Sequence, residues 1–135
     1  LNSVESFPGA LFIKLPLGVD VDFYRWIVNI ASKRGFGLTI ANTLPIKEPR
    51  ISVGYGGLSG YPIYPVVKSL IVKVRRWGFR NPVIGLGGVF HGWQVIDLMR
   101  SGADMVGVVT AFAYEGPFVF NRLFKEVLVS LSERL

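Results

Sequence analysis

The residues of this sequence that could do chemistry gather at the ends of apolar runs. Lys14 sits inside Ala10-Leu11-Phe12-Ile13-Lys14-Leu15-Pro16, a run of strand length. An ammonium buried without a partner is costly, so this lysine should face an anion or an acceptor. The alternative is a strand-end lysine that snorkels to solvent. Asn42 and Thr43 close the next apolar run, residues 37–43. An amide both donates and accepts, which suits a planar heterocycle with alternating C=O and N–H groups; a simple strand-end turn is the other reading. Residues 82–89 run straight into Gly87-Gly88, and residues 105–109 end on Thr110-Ala111. Glycine lets the backbone come close to an anion, and N–H groups beyond two adjacent parallel strands can converge on it. A further glycine loop, Gly56-Gly57-Leu58-Ser59-Gly60, lies between these stretches. Any one glycine pair is as readily a turn. Taken together at corresponding strand ends, they favour a phosphate pocket. His91 is the sole histidine. With no carboxylate or hydroxyl that can be placed beside it, it reads as a helix cap or surface residue. No metal cluster and no Ser/His/Asp arrangement is visible.

The elements that must position these residues alternate. Residues 1–10 read as the end of a preceding helix and a turn at Pro8-Gly9. After the first strand, Asp20 or Asp22 can cap a helix, and Phe23, Trp26, Ile27, Ile30 and Ala31 recur at helical spacing as its buried stripe. Gly35 suits the left-handed stop. Continuous apolar character over residues 37–43 suits a strand buried on both faces. Residues 44–60, rich in glycine and proline, read as a long functional loop. Pro62 or Pro65 opens a helix with Val66, Val67, Leu70, Ile71 and Val74 inward, and Gly78 ends it. A short helix around Trp93, Ile96 and Met99 ends at Gly102. After Glu115-Gly116-Pro117, a closing helix is expected to bury Phe120, Leu123, Phe124, Val127, Leu128 and Leu131. Four successive strand–helix units imply a parallel sheet. A phosphate pocket after the last two strands is the habit of the eight-stranded α/β barrel. The expected fold is therefore α/β, of TIM-barrel type: a C-terminal half-barrel of four βα units, parallel strands 5–8, with residues 1–135 as a single domain.

Composition bounds this reading. The 135 residues are about half of the ~250 that a closed barrel needs. Half of the residues are apolar, which fits a half-barrel whose open edges want a partner. The net charge of +6 is spread out, and its one cluster, Lys73, Arg75 and Arg76, reads as a solvated helix face. No nucleic-acid motif accompanies it, and a basic balance suits anionic substrate and phosphate. No apolar run reaches the ~18 residues of a membrane span. With no cysteine there is no disulfide, thiolate metal site or cysteine nucleophile, and a cytoplasmic location is expected.

In order, Gly56-Gly57-Leu58-Ser59-Gly60, a proline-opened helix, Val83-Ile84-Gly85-Leu86-Gly87-Gly88-Val89, Ser101-Gly102-Ala103-Asp104, Val108-Val109-Thr110-Ala111 and Glu115-Gly116-Pro117 resemble the second half of dihydroorotate dehydrogenase. Lys14-Leu15-Pro16 and Asn42-Thr43 fall in the matching order upstream. The resemblance spans nearly the whole chain and leans toward the soluble first class of the family. It implies an FMN-dependent oxidoreductase that converts dihydroorotate to orotate in pyrimidine biosynthesis. Lys14 would be the catalytic cation, lying against flavin and substrate and stabilising the reduced, anionic flavin. Asn42 would hydrogen-bond the pyrimidine, with Thr43 beside it near the flavin. Gly57 and Ser59 would line the ribityl and phosphate side, and Gly87, Gly88, Thr110 and Ala111 would hold the phosphate. The family has glycine where Val109 stands, and its catalytic base, a serine or cysteine, lies on a loop of the first half. The chain is thus expected to act with a first half-barrel supplied in cis or in trans, or to form a homo- or hetero-oligomer that covers its sheet edges. A related flavin reductase acting on dihydropyrimidine or dihydrouridine, and a non-catalytic phosphate-binding module, are the competing expectations.

Overall fold

The structure is a computed structural model that describes residues 8–132. The expected helix end at the start of the chain lies largely outside those residues. The elements follow in the order β1 (Phe12–Leu15), α1 (Val21–Arg34), β2 (Gly37–Ile40), β3 (Leu44–Lys47), β4 (Tyr55–Leu58), α2 (Tyr64–Arg76), β5 (Val83–Leu86), α3 (Gly92–Arg100), β6 (Met105–Gly107), α4 (Thr110–Glu115) and α5 (Phe118–Ser132). A single 3₁₀ turn, Tyr61–Ile63, leads into α2. β1, β2, β5 and β6 pair in parallel, in that order, as one four-stranded sheet.

Register decides which side chains reach which face. Lys14, Thr39, Ile84 and Met105 stand in one row, and Leu15, Ile40, Gly85 and Val106 in the next. Side chains alternate along a strand, so these rows point to opposite faces. The row of Leu15 and Ile40, with Leu38 and Val83, is sealed against Val67, Ile71, Val74 and Leu98 of α2 and α3. The row of Lys14 and Met105 remains exposed or half-exposed. The expectation that β2 is buried on both faces is therefore corrected. Its helix-side residues Leu38 and Ile40 are fully buried, whereas Thr39 is only half-buried, because no described element covers the other face.

Local signals account for the helix ends. Asp20 Oδ1 accepts the Phe23 N–H at 2.7 Å, and Gly35 closes α1 at φ 71°. Pro65 lies in the first turn of α2, where its missing N–H costs nothing. α2 is tied to α3 through Asp97, which accepts from Lys68 Nζ at 2.8 Å and from the Tyr64 hydroxyl.

Four other expectations are corrected. Residues 44–60 are not a bare loop: β3 and β4 pair in antiparallel register, Leu44 opposite Leu58. Leu44 and Ile46 alternate with exposed Pro45 and Lys47, a period-two signal masked by the surrounding glycines and prolines. On α1 the buried residues are Tyr24, Val28 and Ala31, with Trp26 57% exposed. The stripe turns because the Tyr24 hydroxyl reaches the Pro16 carbonyl at 2.9 Å. On α2, likewise, Tyr64 is buried and Val66 is on the exposed side. On α5 only Val119 and Leu123 are buried. Phe120, Phe124, Leu128 and Leu131 are exposed, because α5 packs on α3 and α4 and nothing described covers its far side.

The N-terminal ends of β5 and β6 are held by one guanidinium. Arg75 donates to the carbonyls of Gly102 at 2.7 Å and of Phe79 and Asn81 at 2.9 Å, and to Asp104 Oδ2 at 2.6 Å. Asp104 Oδ2 in turn accepts the Val83 N–H at 2.7 Å. Removing the guanidinium strands several half-buried acceptors, each of which costs about 1–3 kcal/mol when left unpaired. Arg75→Ala is expected to lower the unfolding free energy by about 2 kcal/mol or more in a urea titration, whereas Arg76→Ala on the solvent side stays within about 0.5 kcal/mol.

Candidate functional site

The parallel register brings four strand ends onto one rim, and hydrogen bonds beyond the strands extend it. The Asn42 N–H donates to the Leu15 carbonyl at 2.9 Å, and the Ala41 N–H to the Leu86 carbonyl at 2.7 Å. A pocket of about 180 Å³ opens on this rim. Lys14, Asn42, Thr43, Ser59, Gly87, Gly88 and Thr110 all line it. Gly60 and Val109, which the sequence placed in these loops without assigning them to a ligand, also line it, and so does Gly107, which sequence reasoning missed. Gly60 is the closing residue of the glycine loop, and its α-carbon faces the Thr110 methyl across the gap between two strand-end loops.

Two predicted residues stand apart from the pocket wall. Gly57 pairs with Pro45 in the β3–β4 hairpin, and any side chain there would collide with Thr43. It therefore acts through the room it leaves for Thr43. The Ala111 side chain is fully buried with Val119 and Leu123, so only its backbone could serve a ligand. Val109 sits just before α4 and is 62% exposed.

The electrostatics are simple. Among the described residues lining the pocket, Lys14 is the only charged one and none is a carboxylate. No described residue forms an ion pair with its ammonium. The rest of the lining offers the Asn42 amide, hydroxyls of Thr43, Ser59 and Thr110, and backbone at Gly87, Gly88 and Gly107. Such a set receives an anion or a ligand rich in acceptors and donors.

The glycine loop after β5 owes its composition to packing. Gly87 and Gly88 have φ values of 135° and 74°, a region that side chains disfavour. A Cβ on Gly88 would sit 2.8 Å from the Tyr64 nitrogen and 2.9 Å from its Cα. The loop is thus pressed beneath the start of α2. Its far end is tied to α5: Arg122 Nη1 donates to the Phe90 carbonyl at 3.0 Å, and Glu126 Oε2 accepts the Gly92 N–H at 2.6 Å. His91 is the N-cap residue of α3, which agrees with its reading as a cap. The structure adds a carboxylate that the sequence could not place, Glu126, 3.9 Å from His91 Nδ1. Among the described residues, no group of three or more His, Cys, Asp or Glu side chains could hold a metal ion.

The sequence model described as dihydroorotate dehydrogenase matches residues 23–131. The chain belongs to the dihydroorotate dehydrogenase family. A mitochondrial dihydroorotate dehydrogenase (quinone) from Schizosaccharomyces pombe is 38% identical over 137 residues, covering 96% of this chain and 31% of that protein. The catalytic subunit of dihydroorotate dehydrogenase B (NAD(+)) from Fusobacterium nucleatum is 31% identical over 140 residues, covering 98% of this chain and 44% of that subunit. The crystal structure of the Eimeria tenella enzyme in complex with ferulenol superposes with a TM-score of 0.81 at 27% identity, over 93% of this chain and 35% of that one. The chain therefore spans less than half the length of these relatives, and its sheet corresponds to part of their α/β barrel. The family is one of oxidoreductases. Its quinone-linked and NAD-linked members both match, so the leaning toward the soluble first class gains no separate support. No helix among the described residues is long and apolar enough to cross a membrane.

Two expectations follow for the loop. Gly88→Ala should destabilise the fold by about 1–3 kcal/mol, the cost of a strained backbone, read by thermal unfolding. Burial alone would raise the Glu126 carboxyl, but the Gly92 N–H and Arg122 outweigh it and hold it below the ordinary range. Its stabilisation is therefore present above the unfolded value of about 4.3 and is lost as pH falls through the lower folded value. Glu126→Gln should flatten the acid limb of a plot of melting temperature against pH.

Proposed function

We propose that this chain is the cofactor-binding half of an FMN-dependent dihydroorotate dehydrogenase, and that the rim pocket receives both flavin and pyrimidine. The observation that carries the reading is the single cation, Lys14, in a pocket otherwise made of neutral hydrogen-bonding groups and glycine backbone. That donor set fits a phosphorylated flavin. The glycine wall leaves space that a side chain would fill, three hydroxyls suit a ribityl chain and phosphate, and one positive charge suits an electron-rich ring. When bound, FMN supplies the two-electron acceptor for oxidation of dihydroorotate to orotate.

The residues of the chain divide the remaining work. Lys14 projects from the face of the sheet that α2 and α3 leave open. Its positive charge favours any arrangement in which negative charge grows nearby. Asn42 offers a donor and an acceptor to the substrate ring, and Thr43 adds a hydroxyl beside it. Ser59 serves the ribityl side, where Gly57 leaves Thr43 its space. Gly87, Gly88, Thr110 and the backbone of Ala111 receive the phosphate. The proton acceptor for the substrate carbon belongs to the first half-barrel, supplied in cis or in trans. The uncovered sheet face and the exposed apolar side of α5 support that completion.

Purified with the first half-barrel present, in cis or in trans, the protein should carry flavin absorbance and turn over dihydroorotate. Lys14→Met should lower turnover by about 100-fold or more, a loss typical of removing one electrostatic contact to a developing charge. A colourless wild-type protein, or a Lys14→Met variant with unchanged turnover, would contradict the assignment.

A further inference from the structure

Among the described residues, Gln94 is the one polar side chain that is fully buried. It lies in the first turn of α3, directly behind the glycine loop. Its carboxamide makes three hydrogen bonds, all to that loop. Nε2 donates to the Gly88 carbonyl at 2.9 Å. Oε1 accepts the Phe90 N–H at 2.8 Å and the His91 N–H at 3.0 Å. The loop's own backbone does not close these bonds in a ladder, so the side chain supplies what a sheet or helix would. An amide suits the place because one planar neutral group both donates and accepts. A leucine of similar size would leave two half-buried N–H groups and one buried carbonyl unpaired. A carboxylate would keep the acceptors but lose the donor to Gly88, and would set a negative charge behind a loop read here as anion-binding.

We infer that Gln94 is the positioning residue of the phosphate end of the pocket: it fixes the Gly87-Gly88-Val89 backbone, which lines the pocket, at the height at which a phosphate is received. The inference rests on the reading of the pocket as a flavin mononucleotide site. It assigns Gln94 no contact with the ligand, since the side chain touches only the loop. The bonds of Arg122 and Glu126 to Phe90 and Gly92 act further along the same loop. They leave the Gly88 carbonyl to Gln94 alone among the described side chains.

The test compares two ligands that differ only in the phosphate. In the full-length protein, binding of flavin mononucleotide and of riboflavin is followed by quenching of flavin fluorescence. Wild type should prefer the phosphorylated flavin. Gln94→Leu should cut that preference about tenfold or more, with riboflavin affinity nearly unchanged, because a misplaced loop loses only the phosphate contacts. Leu98→Ala, a cavity one turn further along the same helix that removes none of the three bonds to the loop, should lower the melting temperature while leaving the preference intact. If Gln94→Leu does not fold, Gln94→Glu takes its place; it retains the acceptor oxygens and loses the donor to Gly88. An unchanged preference in the folded Gln94 variant overturns the inference while the flavin reading stands. A wild type that binds both flavins equally, or neither, overturns the phosphate reading of the pocket and this inference with it.

Discussion

The parallel pairing of β1, β2, β5 and β6 is the constraint on which the rest depends. Parallel strands end on the same side of a sheet, so whatever residues follow them meet on one rim. Here those residues are a lysine one position from a strand end, an amide with a hydroxyl, a glycine pair, and a threonine that opens a helix. None needs its neighbours for its conformation, yet the ladder brings all of them to a single pocket. The same ladder explains the asymmetry of the molecule. One face of the sheet is sealed by α2 and α3, with Leu15, Leu38, Ile40 and Val83 without accessible surface. The other carries Lys14 and Met105 and lies open. A face with a lysine beside half-buried apolar residues is not a finished exterior. Such a face fits the inner side of a partial α/β barrel.

The glycine loop shows how packing and function share one residue. Gly87 and Gly88 were legible as candidate phosphate ligands because glycine admits an anion to the backbone. The structure gives an additional reason: Ile63, Val67 and Tyr64 lie where side chains on these glycines would go. The loop is wedged under the start of α2 from one side and held by Gln94 from the other. Its shape is thus determined by the scaffold before any ligand arrives, which is the condition for a preorganised site.

How much could be read in advance differs by element, for physical reasons. The four parallel strands and the ends of α1 and α2 were legible, because Asp20, Gly35 and the prolines before α2 impose backbone conformations locally; the short helix α4, over residues read as a loop, was not. Seven of the nine candidate residues line the pocket, because strand ends are where apolar runs stop. The β3–β4 hairpin was not legible: Gly54, Gly56, Gly57 and Pro45 speak for a loop, and only the tertiary pairing rescues the weak alternation of Leu44 and Ile46. The faces of α1 and α5 were misjudged for opposite reasons. Tyr24 anchors α1 through a hydroxyl whose partner, the Pro16 carbonyl, lies outside the helix and so outside its periodicity. The phenylalanines of α5 are periodic enough to bury, but the surface they would meet is not among the described residues. Gln94 escaped notice although a glutamine three residues beyond a helix cap is a known capping signal, because the cap itself is a histidine.

The central claim is that one rim holds a flavin with its ring at the β1 end and its phosphate at the β5–β6 end. A crystal structure of the full-length protein grown with flavin mononucleotide tests it most directly. The account predicts phosphate density against the backbone of Gly87, Gly88 and Thr110, with the isoalloxazine ring beside Lys14. Density for the flavin in the reverse orientation, or at any place other than this pocket, would contradict it.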